Sequence, residues 1–189
     1  MVNLVLVSHS RNLAEAVTGL AKQMSSEDVR IVPTGGVGDN RDEFGTDAVQ
    51  ILEAIQDVYT PDGVLILMDL GSAILSTEMA LEFLPDEMKE NIRVCPAPLI
   101  EGSVAASVQA SLGSDLETVY QEALAALQPK QEQLGYQPAG ELTTEMAAAA
   151  GEPAEGISAD VQLINPHGLH ARPAAHFVKL ASQFDADVR

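Results

Sequence analysis

The chain has 189 residues, 46% of them hydrophobic, with 10 Lys and Arg against 28 Asp and Glu, a formal charge of −18 at pH 7. That balance excludes a nucleic-acid or anionic-membrane binder working through clustered cations. The one cysteine, Cys95, excludes an internal disulfide, and the apolar runs are too short to span a bilayer.

Met1-Val2-Asn3-Leu4 carries no basic n-region, and Ser8, His9, Ser10 and Arg11 interrupt any signal-like apolar stretch, so a cytoplasmic protein is expected. Val2 to Val7 reads as a buried strand. Arg11 to Met24 follows as a helix, with Leu13, Val17, Leu20 and Met24 at helical spacing. Val29 to Val32 is a second strand, and Thr34 to Asp42 is a Gly-rich loop, readable as a simple turn. Thr46 to Val58 repeats the helical period through Val49, Leu52 and Ile55. Gly63 to Met68 is the most apolar strand, followed by a helix from Ser72 to Phe83. Ile92 to Cys95 is a fourth strand, and helices are expected near Gly102 to Leu112 and Leu116 to Leu127. Strands that are solid apolar runs are buried on both faces. The expected fold class is therefore α/β, a doubly wound, mostly parallel open sheet with helices on both faces.

Charge divides the chain further. Residues 1–130 sum to −13, residues 131–156 to −5, and residues 157–189 to zero. The middle segment, with Gln137-Pro138-Ala139-Gly140, Ala147 to Ala150 and Gly151-Glu152-Pro153, has a linker's composition; a helix over Thr143 to Ala150 is the alternative.

In a doubly wound sheet, ligands bind beyond the carboxyl ends of the strands. Ser8-His9-Ser10 closes the first strand and Asp69-Leu70-Gly71-Ser72 closes the third, each just before a helix whose first amides are free donors. His9 reads either as an ordinary loop histidine or as a nucleophile, since a neutral imidazole leaves one ring nitrogen unprotonated. Asp69 reads either as a helix N-cap or as the acceptor that fixes the His9 tautomer. No G-x-x-x-x-G-K-[ST] occurs, and Thr34-Gly35-Gly36-Val37-Gly38 does not fit G-x-G-x-x-G, so direct nucleotide binding has no support.

In the tail, Ala159 to Ile164 alternates like a strand and Ala174 to Phe184 reads as a helix. Between them stands Asn165-Pro166-His167-Gly168-Leu169-His170-Ala171-Arg172-Pro173-Ala174. This puts His170 at a helix start beside the Arg172 guanidinium, a setting suited to phosphate on an imidazole. His167 is assigned to the turn and His176 to the helix, without chemistry.

That decapeptide resembles the active-site signature of the histidine-containing phosphocarrier protein HPr of the bacterial phosphotransferase system (PTS). Val-Ser-His-Ser at 7–10, Met-Asp-Leu-Gly-Ser-Ala at 68–73 and Ala-Pro-Leu-Ile-Glu-Gly at 97–102 resemble a mannose-type enzyme IIA domain. The combination resembles the phosphotransfer subunits of phosphoenolpyruvate-dependent dihydroxyacetone kinases. The division implied is a IIA-like domain at 1–130, an acidic linker at 131–156, and the start of an HPr-like domain at 157–189. The resemblance implies a phosphohistidine relay from phosphoenolpyruvate through enzyme I and phosphocarrier to His9, on Nε2, with His170 carrying phosphate on Nδ1. It implies Asp69, Ser10, Gly71, Ser72 and Arg172 as orienting or phosphate-contacting groups. No cofactor is expected on this chain. ADP and magnesium are expected on a nucleotide-binding subunit, which serves a dihydroxyacetone-binding subunit, and a homodimer is expected through the IIA domain. A sugar-transport IIA component with a IIB partner and a regulatory module sensing phosphorylation are the alternatives. An HPr-like domain normally runs about 85 residues, so the 33 after Gly156 lack the strands to close a core, and this tail is expected to be mobile or part of a longer chain.

Overall fold

A computed structural model describes residues 1–136. The linker beyond Tyr136, the HPr-like segment, His170 and Arg172 lie outside the described residues. The elements run β1 (Asn3–Ser8), α1 (Arg11–Met24), β2 (Ile31–Gly35), α2 (Ala48–Val58), β3 (Val64–Met68), α3 (Ser72–Glu82), α4 (Asp86–Lys89), β4 (Ile92–Cys95), α5 (Leu99–Ser111), α6 (Leu116–Ala125) and α7 (Gln128–Gln133).

The four strands form one all-parallel sheet in the order β2-β1-β3-β4. Every residue of β1 and of β3 is buried. Such strands have no polar face to turn to water, so helices must cover both sides. On one side Leu4, Leu6, Leu65 and Leu67 meet Val17 and Ala21 of α1, Ala106 and Ala110 of α5, and Val119 and Ala123 of α6. On the other, Val5, Val7, Val64 and Ile66 meet Ile51, Ile55 and Val58 of α2 and Ala73 and Ala80 of α3. This is the doubly wound α/β architecture expected from the sequence.

Small residues set how closely the helices lie. A Cβ on Gly102 would come within 2.8 Å of both Ala97 Cβ and Leu67 Cδ2, so α5 rests directly on β3. Along α5, Gly102, Ser103, Ala106, Ser107 and Ala110 form the buried face. Ser107 Oγ–H donates to the Ala21 carbonyl of α1 at 3.3 Å.

The structure departs from the sequence reading in several places. The apolar stripe assigned to α1 is not the one it buries: Ala14, Val17, Thr18 and Ala21 face inward, while Leu13, Leu20 and Met24 are exposed. Likewise Val49 of α2 is exposed and Ile51 and Ala54 are buried in its place. α1 thus presents mainly small residues to the close contact and leaves larger ones outside, whereas α2 buries Ile51 and Ile55. The β2 strand begins two residues later and runs on to Gly35, because Thr34 and Gly35 pair with Val7 and Ser8. With Pro98 as its N-cap, α5 starts at Leu99, three residues before Gly102. The short helices α4 and α7 were not expected. Pro129 stands in the first turn of α7, which crosses the 130/131 division, and Lys130 Nζ reaches Glu101 Oε1 of α5 at 2.8 Å.

Candidate active site

The sheet reverses its winding at β1. Its next strand in sequence, β2, lies on one flank, and β3 lies on the other. The carboxyl ends of β1 and β3 are thus neighbours at the topological switch point, where such sheets form ligand sites. His9 follows β1 and Asp69 follows β3.

Asp69 accepts four hydrogen bonds. Its Oδ2 takes the His9 backbone N–H at 2.8 Å and the Ser8 hydroxyl at 3.0 Å. Its Oδ1 takes the Leu70 N–H at 2.7 Å and lies 2.9 Å from His9 Nδ1. Burial pushes the Asp69 pKa up, but these donors, with the His9 and Leu70 amides foremost, outweigh it and hold the carboxyl below the ordinary carboxylate value. An ionised carboxylate only accepts, so Nδ1 carries the ring proton and donates it. The tautomer is thereby fixed with the lone pair on Nε2. Nε2 stands 2.7 Å from Ser72 Oγ, whose hydroxyl donates to it.

The Leu70–Ala73 segment explains why glycine is needed at 71. Gly71 adopts φ 59°, ψ −118°, and Ala73 N–H donates to Leu70 O at 3.2 Å, which defines a type II′ turn. The turn delivers Ser72 to the first position of α3 beside Nε2. It also corrects one alternative, since the N-cap of α3 is Gly71, and the Asp69 carboxylate is spent on His9, Ser8 and Leu70. The Ala73 and Ile74 amides close backbone turns to Leu70 and Gly71. That leaves the Gly71 and Ser72 N–H groups without a backbone partner at the positive end of α3.

Ser10 serves the start of α1. Its Oγ caps α1 by accepting the Leu13 N–H at 3.3 Å, which fixes the helix start next to His9. Its own N–H donates to Ser8 Oγ at 3.1 Å. His9 itself is held at both backbone ends, N–H on Asp69 and carbonyl on the Gly45 N–H at 2.9 Å.

The sequence reading placed Ser8 and the Gly-rich loop but missed what each does: the Ser8 hydroxyl donates to Asp69, and the loop holds His9. A Cβ on Gly35 (φ +151°) would lie 1.9 Å from Ser8 O, so only glycine permits β2 to pair against the end of β1. The loop from 36 to 45 closes through reciprocal Val37–Glu43 bonds and the Gly36 N–H on Gly45 O, and so is more than a turn. The crowding of glycines at 35, 36, 38 and 45 was the available signal. Nothing in the sequence announced that the Gly45 amide would hold His9. Among the described residues no cluster of three or more His, Cys, Asp or Glu is placed to hold a metal ion. No described helix is long and apolar enough to cross a membrane.

The family described as PTS system fructose IIA component (EIIA-man) matches residues 3–120, and the one described as PTS HPr component phosphorylation site matches residues 157–189. A "PEP-dependent dihydroxyacetone kinase 2, phosphoryl donor subunit DhaM" of Listeria innocua is 38% identical over 122 residues, covering 65% of this chain and 96% of the relative. The chain belongs to the EIIA-man family. A DhaM of Escherichia coli K12 is 44% identical over all 189 residues, and the chain spans 40% of that relative's length. Among solved structures, "unknown function protein EF1359" matches with a TM-score of 0.59 and 32% identity, covering 65% of this chain and 92% of that one. His9, Asp69, Gly71 and Ser72 all fall within the EIIA-man segment. His170 and Arg172 fall within the HPr segment.

Proposed function

We propose that the chain is a phosphohistidine relay that accepts a phosphoryl group on His9 Nε2 and passes it to ADP on the nucleotide-binding subunit of a dihydroxyacetone kinase. The observation that carries this reading is the fixed tautomer. Asp69 holds the Nδ1 proton at 2.9 Å, and the opposite nitrogen is left as the nucleophile at the positive end of α3.

The Nε2 lone pair forms the new N–P bond while the bond from phosphorus to the donor histidine breaks. The positive charge that develops on the His9 ring is balanced by the Asp69 carboxylate. The Ser72 hydroxyl, which gives up its bond to Nε2, turns to a phosphoryl oxygen, joined by the Gly71 and Ser72 amides. In the second step a β-phosphate oxygen of ADP attacks phosphorus, the N–P bond breaks, and the electron pair returns to Nε2. Magnesium and ADP belong to the partner in this reading. Enzyme I, phosphocarrier, both kinase subunits and a second copy of this chain are the remaining partners. The EIIA-man and DhaM kinship supports the assignment to this relay.

The test is reconstitution with phosphoenolpyruvate, enzyme I, phosphocarrier and the ADP-loaded and dihydroxyacetone-binding subunits. Dihydroxyacetone phosphate forms only when this chain is present. A mixture in which phosphorylated chain accumulates but passes nothing to ADP overturns the acceptor assignment.

A further inference from the structure

Arg41 is the one non-glycine residue with positive φ (57°) among the described residues. Side chains other than Gly, Asn and Asp rarely take that conformation, and its cost is borne only where the surroundings impose it. Here the surroundings are polar and specific. Arg41 Nε–H and Nη2–H both donate to the Gly35 carbonyl, at 3.1 and 2.9 Å. The Arg41 N–H closes a turn onto Gly38 O at 3.1 Å, and its own carbonyl lies where a Cβ on Gly36 would come within 2.2 Å. The guanidinium therefore ties the far side of the loop back to the end of β2.

Both anchors of that tie lead to His9. Gly35 is paired with Ser8, whose hydroxyl donates to Asp69. Gly45, at the other end of the loop, donates its N–H to the His9 carbonyl at 2.9 Å while accepting the Gly36 N–H at 2.9 Å. Two of the five guanidinium N–H groups bond the Gly35 carbonyl, which places Arg41 to brace the loop against the end of β2.

We propose that Arg41 is a positioning residue for phosphoryl transfer. By clamping the 36–45 loop onto Gly35, it keeps the Gly45 amide on the His9 carbonyl and so holds the ring in line with Asp69 and Ser72. The inference rests on the relay reading of His9.

The experiment uses the full chain as wild type, Arg41→Asn and Arg41→Lys. Asparagine tolerates positive φ, so it removes the guanidinium without adding backbone strain. Three readouts are taken: single-turnover phosphorylation of His9 by separately phosphorylated phosphocarrier, thermal melting, and NMR of the His9 ring nitrogens. Arg41→Asn lowers the saturating transfer rate about tenfold, as a small misplacement of the nucleophile does. Half-saturation stays within about twofold, the melting temperature stays within about 2 °C, and the Nδ1–H resonance broadens as the tautomer loosens. Arg41→Lys recovers part of the rate through one remaining donor.

A wild-type rate in Arg41→Asn, or a rate loss matched by global destabilisation, overturns the proposal. So does a raised half-saturation with unchanged maximal rate, which makes Arg41 a partner contact instead. If the wild-type chain takes no phosphoryl group at all, the relay reading fails. The ring resonances then still decide whether Arg41 orders His9.

Discussion

The site rests on a division of labour between two nitrogens of one ring. Asp69 engages Nδ1, and Ser72 engages Nε2 through a hydroxyl free to rotate. His9→Ala removes the nucleophile, so dihydroxyacetone phosphate formation in the reconstituted mixture falls to zero. The fold survives, because a partly exposed loop side chain contributes little packing. Asp69→Ala leaves the nucleophile but frees its tautomer; transfer slows by roughly 10- to 100-fold without disappearing, the range seen when a histidine loses its orienting carboxylate. Asp69 also leaves a signature in stability. Its folded pKa is depressed, so the charged form is favoured by folding; the contribution is fully present above the unfolded value of about 3.9 and is lost as pH falls through the folded value. Urea unfolding of wild type and Asp69→Asn from pH 7 down to pH 3 checks this: the stability gap narrows at the acid end and is constant above about pH 5. A gap independent of pH contradicts it.

At the scale of elements, what could be read from the sequence was what depends on local pattern. The α1 limits, Arg11–Met24, are those expected, because Ser10 caps the start and the apolar period ends at Met24. The strand at 64–68 stood out as an apolar run, and the one at 92–95, which carries Arg93, as a short strand ended by Pro96. The face α1 buries did not, since Ala14 and Ala21 compete with Leu13 and Leu20 only through how near the neighbouring α5 can come. The His9–Asp69 pair was legible because both residues end apolar strands. Its four-donor cradle was not, as it depends on pairing β1 with β3 across 60 residues. Gly35 gives the sharpest test at this scale. Gly35→Ala pushes a methyl into the Ser8 carbonyl at 1.9 Å. The end of β2 must separate from β1, and the His9 N–H bond to Asp69 loosens with it. Amide exchange at Ser8 to Ser10 rises, and phosphorylation slows more than the melting temperature falls. Unchanged exchange at these amides sinks that account.

For the molecule as a whole, stability is concentrated in two strands buried on both sides. Leu65, at 0% exposure in β3, packs in the cluster formed with α1, α5 and α6. Leu65→Ala costs about 2–5 kcal/mol, read as a drop in the urea midpoint at constant m-value. The described residues 1–136 contain both cores, so a chain ending at Tyr136 accepts phosphate from separate phosphocarrier at the rate of the full chain. Loss of that activity on truncation shows that the remaining 53 residues are needed for transfer.

The strand order carries a consequence for biosynthesis. β1 is translated first yet occupies an interior place in the sheet, between β2 and β3. Val64 opens β3 56 residues after Ser8 closes β1. At about 5–20 residues per second, one edge of β1 stays without its partner strand for roughly 3–11 s on the ribosome. During that interval Leu-Val-Leu-Val at 4–7 is a bare apolar ribbon, the segment a nascent-chain chaperone would cover, and the His9 cradle cannot assemble until Asp69 has emerged.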